Sequence, residues 1–288
     1  MLLSSLILTA GCIWNAAGST GCRPSAPPFP LPEALHESSG VAWSRAQSGI
    51  LWSHNDGGEP LLYALDTEGR PEAQIPIRGV SMWDWEDLAV GDCPTGTCLY
   101  LADTGDNQEV RPQVQILRIP EPAFLDDGPL RGESFPVTLP DGPRDIEAIF
   151  VLPGGEVYLI SKGRKDPLTV YRYPSPLRAG ESVMLEEVQT LSEGSMSIPA
   201  QVTGADASED GRFVAVRTYE ALLFYRVEEG RLLPINGGRV ALGTLQEPQG
   251  EGVGFGPTGQ VFLTSEAGNF GGVASLRTLQ CGEPLGGV

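Results

Sequence analysis

Five residues, Ser39, Glu86, Glu147, Asp206 and Glu251, each stand at or near the head of a short run of apolar or small residues, at spacings of 47, 61, 59 and 45 residues. Four of them are acids. Carboxylates that a fold gathers in one place raise each other's pKa unless a cation lies among them. An oxygen-only donor set of irregular number suits a hard cation, calcium before magnesium. Two histidines, His36 and His54, leave little for a zinc site. The residues two positions earlier are Glu37, Asp84, Asp145, Gly204 and Gln249. On an extended strand they point the same way as the five, so up to seven carboxylates converge. The other reading of these acids is that they accept backbone N–H bonds and lock neighbouring segments together.

Elements that gather such residues must repeat. Between the five lie short alternating runs such as Ile50-Leu51-Trp52-Ser53, Glu156-Val157-Tyr158-Leu159-Ile160 and Leu222-Leu223-Phe224-Tyr225, bounded by many of the 37 Gly and 25 Pro. Four strands per recurring unit give an all-β chain, a β-propeller of five blades, with six if a degenerate unit hides between 86 and 206. Residues 22–288 form one domain on this reading. The fifth unit ends one strand short, which would leave an open sheet edge. The segment 24–32 is expected to close the ring there, as an edge strand because of its prolines. Cys22 and Cys281 would latch that seam, and Cys93 and Cys98 flank a turn that would let them bond. The alternative leaves Cys281 a free thiol and Cys22 lipidated.

In a propeller the loops entering the inner strands and those leaving the second strands share one mouth. This places His54, Asn55, Asp84, Trp85, Asp145, Tyr219 and Glu266 as ligand contacts. Asp56, Asp103 and Asp106 are candidates to orient water, and Lys162, Arg164 and Arg217 to stabilise negative charge. Taken singly, each loop reads as an ordinary turn; together they divide the mouth into an acidic and a basic side.

The formal charge of −18 and pI near 4.4 exclude nucleic acid as a partner. Residues 1–21 carry no charged side chain and hold an apolar run too short to span a bilayer, so they read as an export leader. Leu8-Thr9-Ala10-Gly11-Cys12 resembles a bacterial lipobox, which implies lipidation of Cys12 and a membrane as partner.

The segments His54-Asn55-Asp56, Asp84-Trp85-Glu86-Asp87-Leu88-Ala89, Tyr100-Leu101-Ala102-Asp103-Thr104-Gly105-Asp106-Asn107 and Asp145-Ile146-Glu147-Ala148 resemble a group of uncharacterised bacterial propellers, known as lipoproteins or esterase-like, phytase-type proteins. The order Ser39, Glu86, Glu147, Asp206, Glu251 is similar to the axial calcium ring of the five-bladed calcium-activated nucleotidases, the apyrases. Where that family has Asp-Asp-Arg-Thr-Gly, this chain has Asn55-Asp56-Gly57-Gly58, without the arginine. The expectation is an exported, lipid-anchored propeller with calcium on its axis that binds a small anionic ligand or a protein partner. The alternatives are a calcium-dependent phosphoester hydrolase of nucleotidase or phytase type, and a lactonase or esterase. No Gly-x-Ser-x-Gly elbow supports a serine esterase.

Overall fold

Inner strands buried on both faces read as continuous apolar runs, and outer strands alternate; both patterns recur five times in space. The computed structural model describes residues 21–125, 128–268 and 271–282. The first blade runs outward from the axis as Ser38–Trp43, Leu51–Asn55, Leu61–Leu65 and Pro71–Arg78. The second has Trp85–Cys93, Gly96–Asp103, Val114–Pro120 and Glu133–Thr138, and the third Ile146–Leu152, Glu156–Ser161, Thr169–Arg172 and Glu186–Thr190. The fourth has Val202–Ala207, Phe213–Thr218, Ala221–Glu228 and Arg231–Ala241. The fifth supplies Gln249–Phe255, Gln260–Glu266 and Ser275–Gln280. Every residue of Ile146–Leu152 is buried, whereas Pro71–Arg78 buries only Ile75 and Ile77.

The missing outer strand of the fifth blade comes from the N-terminal side. Arg23–Pro24 and Phe29–Pro30 pair antiparallel with Ser275–Gln280, and a Cys22–Cys281 disulfide fixes the seam. With a sequence separation of 259 between the two cysteines, the bridge stabilises by about 5 kcal/mol in the chain-entropy picture. Cys93–Cys98 is the second disulfide.

Five apolar clusters lie one between each pair of neighbouring blades, so the core is itself a ring. Trp52 and Trp85 are fully enclosed between the first two blades. Truncating either to Ala would cost about 3–5 kcal/mol. Two crossovers also cap the edge of the blade behind them. Leu130–Arg131 pairs parallel with Ile77–Arg78, and Val183–Met184 with Val137–Thr138. Glu186–Thr190 alone is the outer strand of the third blade. These crossovers fill the long spacings, and the described residues make five blades rather than six.

Candidate metal centre

Each inner strand opens with an irregularity in its pairing. Ser39, Glu86, Glu147 and Thr203 are skipped by the register of blades one to four, and Glu251 with Gly252 by that of blade five. A bulge of this kind re-aims the side chain it carries. Two of the five are hydroxyls, and both are spent around the ring. Ser39 donates to the Glu86 carbonyl and Thr203 to the Glu251 carbonyl at 2.9 Å. The remaining three are glutamates.

Asp206 is thus not the fourth blade's member of the ring. The inner strand starts at Val202, four residues before that acid, because Thr203-Gly204 fills the role that Ser39-Gly40 has in the first blade. Asp206 lies further down the channel. Its Oδ1 accepts the Ala207 N–H at 2.9 Å and its Oδ2 the Phe255 N–H at 2.8 Å.

Glu86, Asp145 and Glu147 converge at the upper mouth, with one oxygen of each within 4.8 Å of the others and all three residues buried. Lys162, at the end of the third blade's second strand, places its Nζ 2.6 Å from Glu147 Oε1. Asp145 Oδ1 accepts the Asp106 N–H at 2.8 Å. Its Oδ2 is buried without a hydrogen bond, 3.4 Å from an Arg164 nitrogen. Gly105 makes the approach of Asp84 and Glu86 possible. A Cβ there would stand 2.0 Å from Glu86 Oε1 and 2.4 Å from Asp84 Oδ2.

The electrostatics follow from this crowding. Burial pushes the Glu86 carboxyl well above its ordinary range, and the charges of Glu147 and Asp84 push further. Burial also lifts Glu147 to about 8, even though Lys162 pulls it down. Burial opposes the Lys162 ammonium, yet Glu147, Tyr219 and Glu86 outweigh it and keep the lysine charged. Across the mouth, burial raises Glu251 well above its usual value, with Glu266 and Glu147 adding to it. Glu266 is raised to about 7 and Asp56 to about 6, each first by burial and then by neighbouring acids. The Lys162 ammonium and the Arg164 and Arg111 guanidinium groups do not balance this many acids.

The residues present suit a hard divalent cation. The donors are all carboxylate oxygens, one buried oxygen lacks a hydrogen-bond partner, and a glycine holds open the space beside them. Glu86, Asp145 and Glu147 would hold such an ion, with Asp84 beside Glu86.

The other predicted residues divide sharply. Asp84, Tyr219 and Glu266 sit at the mouth among the charges just described. Asn55 is on the rim but turned to the backbone, accepting the Glu37 N–H and donating to the Ala34 carbonyl. Asp103 is fully buried and pins a loop, accepting N–H bonds from Trp83 and Asp84 on one oxygen and the Gln115 amide on the other. Asp106 accepts the Arg111 N–H at 2.6 Å. Asp103, with both oxygens engaged, is not placed to orient water.

Arg217 is wholly enclosed between the fourth and fifth blades. It donates to the Gly252 and Thr264 carbonyls at 2.8 and 2.9 Å and pairs with Glu247 at 2.5 Å. It is a clasp between blades rather than a group facing the mouth. Trp85 and His54 are both fully buried and meet edge to face with ring centroids 5.7 Å apart, so neither presents a face to a ligand. Burial lowers His54 to about 4, so the ring is neutral, and its Nδ1 donates to the Asn55 carbonyl at 2.9 Å. Cys12 lies outside the described residues.

Asp87 is the buried acid that sequence reasoning passed over. It accepts N–H bonds from Leu88, Ile149 and Ala205, one from each of three blades. The sole sequence signal for it is its place directly after the ring glutamate.

No family model matches the chain, and no curated protein matches it. Solved structures do. The PQQ-bound aldose sugar dehydrogenase of Streptomyces coelicolor matches at TM-score 0.54 and 11% identity, covering 91% of this chain and 98% of that one. The Malassezia sympodialis allergen Mala s 1 matches at 0.56 and 9%, covering 89% and 96%. A gluconolactonase of Xanthomonas campestris aligns at 0.45 and 12%, covering 93% and 99%. At these identities the first two establish the propeller fold alone.

Two disulfides mark an extracytoplasmic protein. Among the described residues no helix is long and apolar enough to cross a membrane.

Proposed function

We propose that the chain is an exported, lipid-anchored propeller that binds calcium among Glu86, Asp145 and Glu147 and uses the loaded mouth to capture a small anionic ligand. The observation that carries this reading is the convergence of those three buried carboxylates within 4.8 Å of one another, beside a single ammonium. Calcium would supply the missing positive charge. Arg164, one-third exposed at the rim, would add a planar donor for a carboxylate or phosphate. A protein partner presenting such a group would use the same contacts.

Binding is favoured over hydrolysis by the state of the neighbouring side chains. Of the six groups a phosphoester hydrolase would draw on, Asp103 and Arg217 are committed to backbone, amide and ion-pair contacts. Calcium is expected to raise the melting temperature of the wild-type protein in a concentration-dependent way. The double variant Glu86→Gln/Glu147→Gln should lose that shift. Turnover of nucleotide, phytate or lactone that depends on calcium would replace the binding reading with the hydrolase. Incorporation of a fatty-acid label that Cys12→Ser abolishes would test the anchor.

A further inference from the structure

The far end of the channel holds a cavity of about 330 Å³ that the calcium reading does not use. Its walls come from the lower ends of the inner strands and the turns that follow them, chiefly Trp43, Arg45, Asp206, Glu209, Phe255 and Thr258. The size is at the small end for ligand pockets. Trp43 stacks on Phe262 with ring centroids 5.6 Å apart and planes 8° apart, so its ring is held rigidly at the cavity wall. Phe255 is 7% exposed and Asp206 likewise, which makes the lining part aromatic and part acidic.

The charge of this lining is lopsided. Asp206 spends one lone pair of each oxygen on a backbone N–H, from Ala207 and from Phe255. An ionised carboxylate has about four acceptor sites, so half of its capacity remains. Glu209 adds a second acid at the exposed rim. Arg45 is the cation in the wall; its guanidinium lies 3.4 Å from Asp92 and its charge also reaches Asp206, so the two acids of the lining outnumber it by one. Ordinary acids of a water-filled channel floor would not need aromatic walls. An acid that lines one cavity with a fixed indole offers both attractions that an organic cation uses, charge pairing and cation–π contact.

We propose that this lower cavity is a second binding site, for a small organic monocation such as a primary or quaternary ammonium, with Asp206 as its counter-ion and Trp43 as its aromatic wall. The site is independent of the calcium centre. Choline chloride is the probe, titrated into the intact protein about one and a half pH units above the value of about 7 to which burial raises Asp206, so that the acid is ionised, by calorimetry or ligand-observed NMR. Its uncharged isostere 3,3-dimethylbutan-1-ol is the control. Choline should saturate one site per chain, and the isostere should bind at least about tenfold more weakly. Asp206→Asn should weaken choline by at least about tenfold, while Glu147→Gln at the upper mouth should leave it unchanged. If Asp206→Asn does not fold, Glu209→Lys at the exposed rim reads the same charge, with a several-fold loss expected. Equal binding of choline and its isostere would overturn the site. So would absence of saturation below about 10 mM, or affinity indifferent to both acidic positions.

Discussion

The two ends of the channel are built by opposite ends of the same five inner strands, yet they treat buried acid in different ways. At the lower end and in the middle, Asp206 and Asp87 sit where backbone N–H groups reach them, two for the one and three for the other. At the upper end the bulges turn Glu86 and Glu147 toward Asp145, where Lys162 is the hydrogen-bonding cation. A carboxylate that three backbone amides satisfy, as Asp87, is a strut, and Asp206 with two keeps acceptor sites open to the cavity beside it. Glu86 and Glu147, which face other charges, are the place for a metal ion. Counting acids around an axis does not separate the two; asking what each oxygen already accepts does.

The largest test of this contrast is to remove the upper cation. Lys162→Met leaves three buried acids with only Arg164 nearby, and breaking a buried pair costs about 3–5 kcal/mol. Chemical denaturation without calcium should show a loss of that order at neutral pH, partly recovered when calcium is added. A loss below about 1 kcal/mol would mean that the lysine is not the counter-charge.

Asp206 and His54, one toward each end, should answer pH with opposite signs, while the raised acids of the upper mouth, Glu147, Glu266 and Asp56, share the sign of Asp206. Burial raises Asp206 from 3.8 to about 7. The folded state therefore holds its proton more tightly, and stability present below about pH 4 is lost as pH rises toward 7. The full shift corresponds to about 4 kcal/mol. Asp206→Asn should remove this falling component from a stability profile between pH 4 and 7.

On the upper side His54 is lowered from 6.5 to about 4. The unfolded chain takes up a proton first, so stability is complete above pH 6.5 and declines as pH falls toward 4, by about 3 kcal/mol. His54→Gln should flatten that acid limb. If either variant left its limb unchanged, the burial assigned to that group would be wrong.

The smallest effect comes from the ring's hydroxyl members. Thr203→Val loses the bond to the Glu251 carbonyl, about 1 kcal/mol, and should leave calcium affinity untouched. Gly105→Ala should do the reverse. It changes global stability less than it changes calcium affinity, which the crowding of Asp84 and Glu86 should weaken by tenfold or more.

Much of the fold was legible because it rests on period. Strand runs, blade count, closure by 24–32 and both disulfides follow from spacing, an unpaired edge and two cysteine pairs. The ring positions were legible in four blades, at Ser39, Glu86, Glu147 and Glu251. It failed in the fourth blade because an acid was sought where the structure uses a hydroxyl. The pair Thr203-Gly204, echoing Ser39-Gly40, was the available signal. What could not be read was commitment. Nothing in the order of residues says that Asp103 pins Trp83 and Asp84, or that Arg217 turns sideways into a clasp. Those roles depend on which loop meets which, and loop meetings are set by the closed ring.

The most direct measurement is a crystal structure of the protein grown with calcium, with an anomalous difference map. A peak bonded to oxygens of Glu86, Asp145 and Glu147, with Lys162 still at Glu147, is the expected result. An empty map at full calcium occupancy of the solvent, with the Lys162 ammonium alone filling the space among the three carboxylates, would contradict it.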